Sequence, residues 1–300
     1  MAVSKLKAKP PEEVLPGKTK GLIFGASGVG KTWFSLAFPT PFYIDTEGGA
    51  GLQHYQSLLK KAGGGYLGQA DGSLDFATII GQMQALATEK HQYKTLIIDS
   101  ITKLYQTAIA NESERIIASG KKDEFGASKK PAIKWMRTLI NWATKLDMNI
   151  WFIAHEVSEW GLINGERAEI GKTADVWDKL IYELDIGIRV IRRGNIYPAV
   201  GIVHKSRLLG FPQGESFQLD YDTFGERYGK NYIESEPKVF VLATDEQVKE
   251  IERLIELLKV PSEETEKVLT KGGADSWKEL SIEQAEKTLK WLNAKIKGEK

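Results

Sequence analysis

Four short runs are apolar almost throughout: Leu22–Phe24, Phe42–Ile44, Thr95–Ile98 and Asn149–Ala154. Between them, apolar positions recur at helical spacing, as at Phe76, Ile79, Ile80, Met83 and Leu86. Strands that are apolar on both faces and separated by helices predict an α/β fold, with a mostly parallel central sheet flanked by helices. The pattern then changes. Segments 184–192 and 196–205 are β-rich around Arg193-Gly194-Asn195 and predict a β-hairpin extension, and Lys238–Leu242 predicts one more strand. From Thr244 the chain turns to Glu, Lys and Leu. Thr244 with Gln247 and Ser281 with Gln284 fit capping boxes, each opening a helix with one apolar face, and Gly272-Gly273 stops the helix between them. The pattern thus divides the chain into a mobile arm (1–20), a core (21–243) and a small C-terminal α-helical appendage (244–300). Two stretches, 118–130 and 156–176, read as long irregular loops.

Composition narrows the chemistry by exclusion. The net charge of +1 announces no polyanion partner, so any nucleic-acid site must be a local patch. With no cysteine there are no disulfides, thiolate metal sites or cysteine nucleophiles. Four scattered histidines form no zinc signature. No apolar run is long enough to span a bilayer, and the Lys/Pro-rich start lacks the apolar stretch of a secretory signal, so a cytoplasmic protein with no membrane partner is expected.

Gly25-Ala26-Ser27-Gly28-Val29-Gly30-Lys31-Thr32 fits the phosphate-binding loop pattern and lies where it must, between an apolar strand and a helix. The glycines let backbone N–H groups turn toward phosphate oxygens, Lys31 reaches the β/γ-phosphates, and the Thr32 hydroxyl ligates Mg²⁺. A nucleoside triphosphate and Mg²⁺ are therefore expected, and the loop alone does not choose between kinase, GTPase, helicase and recombinase. The strand 95–98 ends in Asp99, which fits either a second Mg²⁺ support or a helix N-cap. Asp45 and Glu47 follow the strand 42–44, at the end of the sheet where ligands bind. Glu47 is placed to activate a water, or else caps the next helix; Asp45 fits a support of Mg²⁺ water or of the loop. His155 closes the strand 149–154 and is either a γ-phosphate contact or an ordinary strand-end histidine.

These residues, with Ile44–Glu47, Ile97–Ser100 and the stretch Lys205–Leu219, resemble the RecA-type recombinase core, especially compact phage-encoded RecA-like ATPases, over residues 21–242. The resemblance implies a RecA-like P-loop NTPase that takes ATP and Mg²⁺ as cofactors, with Glu47 as catalytic glutamate. It makes His155, where such proteins usually carry Gln, the γ-phosphate sensor. It implies that Lys205 and Arg207 act across a subunit interface, hence a homo-oligomer, filament or ring. It places single-stranded DNA at the two long loops, the first with Lys121, Lys122, Lys129 and Lys130, the second with Trp160, Arg167 and Lys172; solvated loops are the other reading. Tyr55 matches a tyrosine that stacks on adenine, or is a core residue. The arm lacks the aromatic-x-x-Ala motif by which such proteins polymerise, and Phe34–Ala37 has its letters only within the P-loop helix. The resemblance implies phage-like recombination or single-strand annealing in a host cytoplasm, with the basic C-terminal helices open to a recombination partner. A P-loop small-molecule kinase and a nucleotide-dependent loader or switch for a protein partner are the alternatives.

Overall fold

The computed structural model describes residues 16–194 and 197–296. Most of the expected N-terminal arm, Asn195 of the hairpin turn and the extreme C-terminus lie outside them. The arm's last residues are not loose: Lys18 and Thr19 are buried, and Lys18 Nζ donates to Ile233 O at 3.2 Å.

The chain runs β1 (Lys20–Phe24), α1 (Lys31–Leu36), β2 (Pro41–Asp45), α2 (Gln53–Ala62), β3 (Gly65–Gly68), α3 (Phe76–Thr88), β4 (Thr95–Asp99), α4 (Ile101–Ala118), α5 (Lys129–Lys145) and β5 (Asn149–Ala154). There follow β6 (Glu156–Ile163), β7 (Glu166–Ala174), α6 (Leu180–Glu183), β8 (Ile186–Ile191), β9 (Val200–Ser206), β10 (Ser216–Gln218), α7 (Tyr221–Tyr228) and α8 (Lys230–Glu234). The last helices are α9 (Asp245–Leu257), α10 (Ser262–Lys271) and α11 (Ile282–Ile296).

Eight strands form one sheet in the order β10-β9-β8-β1-β5-β4-β2-β3. From β8 to β3 every neighbour is parallel, whereas β9 and β10 return antiparallel. Side chains alternate across the sheet. Leu22 and Phe24 face the core under α3, α4 and α5, with the predicted stripe Phe76, Ile79, Ile80, Met83 and Leu86 buried there. Ile23 faces the other core, where Trp151 meets Phe34, Phe38 and Phe224 at 5.1–5.4 Å between ring centroids. Phe34 and Leu36 are thus part of that second core, whereas Ala37 is exposed. The expected α/β class, parallel sheet and β8–β9 hairpin are all present.

Three local expectations are corrected. Residues 156–176 are not an irregular loop: β6 and β7 pair antiparallel as a separate ribbon, turned by Asn164 (φ 54°) and Gly165 (φ 88°). Asn-Gly is a strong hairpin signal, because both positions tolerate positive φ. Between α4 and α5 only residues 119–128 are loop, so Lys129 and Lys130 belong to a helix. Lys238–Leu242 is no strand of the sheet. Its backbone is spent locally, Phe240 N donating to Ala87 O at 2.7 Å and Leu242 bridging Ser281. Phe240 and Leu242 pack on the α3–α5 side.

Both C-terminal capping boxes form, and α9 and α11 share a small core of Ile251, Leu254, Ala285 and Leu292. This unit is tied to α5, with Lys145 Nζ to Glu279 O at 2.9 Å and Thr138 Oγ1 to Asp275 Oδ2 at 2.6 Å.

One buried cation gives a prediction. Lys20 Nζ donates to Leu146 O and Met148 O, both at 2.5 Å, and burial pushes the ammonium down to about 7 despite the nearby Asp185 carboxylate. The unfolded lysine holds its proton to about 10.5, so between these values the unfolded chain binds more protons and stability rises with pH. The slope is at most about 1.4 kcal/mol per pH unit. Denaturant unfolding at pH 7.5, 8.5 and 9.5 should show that rise, and Lys20→Met should flatten it. A rise of equal size in both proteins would contradict the assignment.

Candidate nucleotide site

The phosphate-binding loop joins β1 to α1 at the carboxyl end of the parallel strands. Gly25 passes so close to β8 that a Cβ there would sit 2.5 Å from Val190 O, and Gly30 turns the chain into α1 with φ 107°. Lys31 Nζ donates to Gly25 O and Ala26 O at 2.8 Å each. Burial lowers its pKa, while Asp99 and Glu47 work against that shift. Its ammonium therefore lies within the loop's own curve, where phosphate oxygens would be recognised.

Asp99 arrives from β4, which β5 separates from β1 in the sheet. Its Oδ2 accepts from Thr32 Oγ1 at 2.7 Å and from Tyr43 OH at 3.2 Å. Burial, with Glu47 adding to it, raises the carboxyl to about 6, against the two hydrogen bonds and Lys31. The N-cap alternative for Asp99 fails: Ser100 caps α4 by accepting from Lys103 N at 3.2 Å. Tyr43 was not foreseen from the sequence. It sits within an ordinary apolar strand, and only the β2–β4 pairing brings it to Asp99.

Glu47 Oε1 accepts from Ser100 Oγ at 2.5 Å and lies 2.7 Å from His155 Nε2. The two residues expected to act on the γ-phosphate are thus in contact, joined from the ends of β2 and β5. His155 N is held by Thr102 Oγ1 at 3.0 Å. Asp45 holds a backbone turn. It is buried, and its carboxylate accepts from the backbone N–H groups of Glu47 (3.0 Å), Gly48 (2.8 Å) and Ala50 (2.5 Å). It shapes the turn that presents Glu47, Oδ1 taking two of these donors and Oδ2 one. Tyr55 is half-buried against the second core, and burial raises its pKa.

The donor set fits a Mg²⁺–triphosphate. Thr32 and Asp99 offer hard oxygen ligands side by side, and Mg²⁺ characteristically takes one or two such groups plus substrate phosphates. Lys31, Thr32 and Asp99 would hold the pair, and bound Mg²⁺ would neutralise charge on the phosphates.

The other predicted residues lie apart from this cluster. Lys205 and Arg207 sit at the far end of the sheet, where Ser206 pairs with Ile186. Lys205 Nζ donates to Leu184 O and Arg207 to Tyr182 O of the same chain. They do not reach the Lys31 site of their own chain. Lys121 and Lys122 are in the exposed loop before α5, and Lys129 and Lys130 on its first turn. Trp160, Arg167 and Lys172 are on the β6–β7 ribbon that starts directly after His155. There Arg167 stacks over Trp160 at 5.3 Å and Lys172 pairs with Glu169 at 2.7 Å. Among the described residues no helix is long and apolar enough to cross a membrane.

Comparison with known proteins gives a family match: the AAA_24 model, described as an AAA domain, matches residues 17–217. No curated protein sequence matches. Among solved structures, the chain is similar to the RadB recombinase, with 18% identity over 67% of this chain and 86% of that one and a TM-score of 0.40. It is also similar to the KaiC-like protein PH0186 from Pyrococcus horikoshii OT3, with 12% identity over 67% and 85% of the two chains and a TM-score of 0.41.

Proposed function

Because the chain belongs to the AAA domain family, we propose that its P-loop serves a Mg²⁺-dependent ATP hydrolase of the RecA type. Single-stranded DNA raises its turnover, and it acts in phage-like recombination or single-strand annealing. The observation that carries the hydrolytic reading is the contact of Glu47 with His155 and Ser100, beside the Thr32–Asp99 pair. A carboxylate held at the carboxyl end of the sheet, next to a phosphate loop, is suited to orient and deprotonate an attacking water. His155 then links the γ-phosphate to the ribbon that follows it.

Lys205 and Arg207 complete the reading as charges supplied to a neighbouring copy. They lie at the opposite end of the sheet from Lys31, so a head-to-tail arrangement, which closes as a ring or continues as a filament, brings them toward another subunit's phosphates. The isolated chain is then a weak ATPase.

A second reading has its own support. The ribbon carries Glu156, Glu159, Glu166 and Glu169 against Arg167 and Lys172, and exposes Leu162, Ile163 and Ile170. An acidic, apolar ribbon suits a protein partner, as in a nucleotide-dependent loader.

The deciding measurement is ATP turnover with and without single-stranded DNA at low salt. The recombinase-like reading expects stimulation of roughly tenfold or more, lost as salt rises because phosphate contacts release counterions. No stimulation, together with no DNA binding in the presence of ATP, would overturn it and leave the loader.

A further inference from the structure

A cleft of about 550 Å³ opens between the start of α3, one side of α4 and the first turns of α5. Its volume lies in the roughly 300–1,000 Å³ range of sites for small ring-bearing ligands. Trp135 forms one wall, with Lys103 and the amides of Gln69 and Asn111 around it. The indole is 43% exposed and lies parallel to buried Phe76, 11° between planes and 6.4 Å between centroids. Packing therefore holds the ring while much of its surface stays open to the cleft.

Two carboxylates share this space. Glu112 is engaged by a two-point contact from Arg115 (2.6 and 2.9 Å), and Asp75 accepts from Thr78 N at 2.8 Å. The cleft lining is thus close to neutral, with Lys103 and Arg115 beside Asp75 and Glu112, while α4, α5 and the loop between them (101–145) hold nine Lys or Arg against four Asp or Glu. A cationic side chain such as Lys103 beside one fixed, half-exposed aromatic is the combination that tracks a phosphate backbone and stacks a base.

We infer that this cleft receives an unstacked base of a single nucleic-acid strand. Trp135 is the stacking surface, the Gln69 and Asn111 amides meet the base edge, and Lys103 faces the adjoining phosphate. The inference rests on the single-strand reading above and adds to it a site and a route to the hydrolytic centre. Gln69 Nε2 donates to Thr46 O at 2.6 Å. Thr46 N in turn donates to Asp99 O at 2.7 Å, and Thr46 Oγ1 accepts from Ser100 N at 2.8 Å. Glu47 is the next residue. A base that engages the Gln69 amide therefore bears on the backbone that positions Glu47 against Ser100, which ties strand occupancy to turnover without passing through the ribbon.

The test uses the full chain with a non-hydrolysable ATP analogue, a labelled oligothymidylate and anisotropy at low salt, followed by turnover with ATP. Trp135→Ala is expected to weaken oligothymidylate binding roughly tenfold or more, as loss of a base–aromatic stack does, and Trp135→Phe to restore most of it. Gln69→Ala should weaken oligothymidylate binding less than Trp135→Ala does, and should still lose most of the stimulation at saturating oligothymidylate. Free thymidine monophosphate should not compete. Binding and stimulation unchanged in both Trp135→Ala and Gln69→Ala would overturn the cleft while leaving the single-strand reading intact. Competition by the free nucleotide would make it a mononucleotide site instead. Absence of oligothymidylate binding by the parent would overturn both readings. Thermal midpoints of the variants separate a local effect from unfolding, and Trp135→Phe and Gln69→Ala carry the test if Trp135→Ala does not fold.

Discussion

Replacing Lys31 with alanine is expected to lower ATP turnover by at least roughly a hundredfold and to weaken nucleotide binding with it. The lysine is the cation inside the phosphate loop, with Nζ 2.8 Å from Gly25 O and Ala26 O. When phosphates enter, that ammonium exchanges two neutral carbonyls for oxygens that carry full charge, and the interaction grows as charge moves onto the leaving group. Removing one preorganised donor of this kind typically costs on the order of 2.7–4 kcal/mol in the transition state. Burial already lowers the lysine's pKa, with Asp99 and Glu47 opposing the shift. The alanine variant therefore also removes a cation that Asp99 and Glu47 interact with. Turnover within tenfold of the parent, measured by phosphate release at saturating ATP, would remove the loop from the mechanism.

Glu47→Gln is expected to separate binding from chemistry. Glutamine is the same size and keeps an oxygen that can accept from Ser100 Oγ and face His155. The turn held by Asp45 through the N–H groups of Glu47, Gly48 and Ala50 is untouched. What is lost is the carboxylate as proton acceptor, which general-base catalysis values at roughly 10²–10⁴-fold. Turnover should fall by at least roughly a hundredfold with ATP affinity within a few-fold of the parent. The variant would then accumulate in the ATP-bound form, and a change in the turnover constant with little change in affinity is the signature of a group that acts in the transition state. Unimpaired turnover would move the base to another residue. Weakened ATP binding would show that Glu47 serves chiefly to balance charge beside Lys31.

The Lys20 and Trp135 tests sit far from this chemistry, yet they depend on the same architecture. Lys20 begins the strand that delivers the phosphate loop. Trp135 stands on α5, which covers the sheet face under β4 and β5. Perturbing either should leave the Thr32–Asp99 contact in place, and nucleotide binding serves as the control in both cases.

Much of this site could be read residue by residue because its parts are local. The phosphate loop is one continuous segment, and its glycines, Lys31 and Thr32 carry their own geometry. Asp99, Glu47 and His155 could be nominated because each ends an apolar run, and in a parallel sheet all such ends face the same crevice. The capping boxes at Thr244 and Ser281 were equally local, since a cap needs only four consecutive residues. The short strands β3 and β10 gave no comparable pattern. With only four and three residues they exist because longer neighbours offer them an edge.

Pairing across the chain decided the rest. Whether Asp99 capped a helix or joined Thr32 depended on Ser100 taking the cap, and on β4 lying one strand away from β1. Asp45 is engaged by three backbone donors that only the folded turn aligns. Tyr43, Gln69 and Trp135 carry no motif at all. They enter the account through contacts with Asp99, Thr46 and Phe76, each at least 23 residues distant in the chain. Local propensity and spacing thus determined which elements form and which residues end them. Long-range packing alone determined which of those residues meet, because a hydrogen bond or an aromatic stack depends on separation in space and not on separation along the chain.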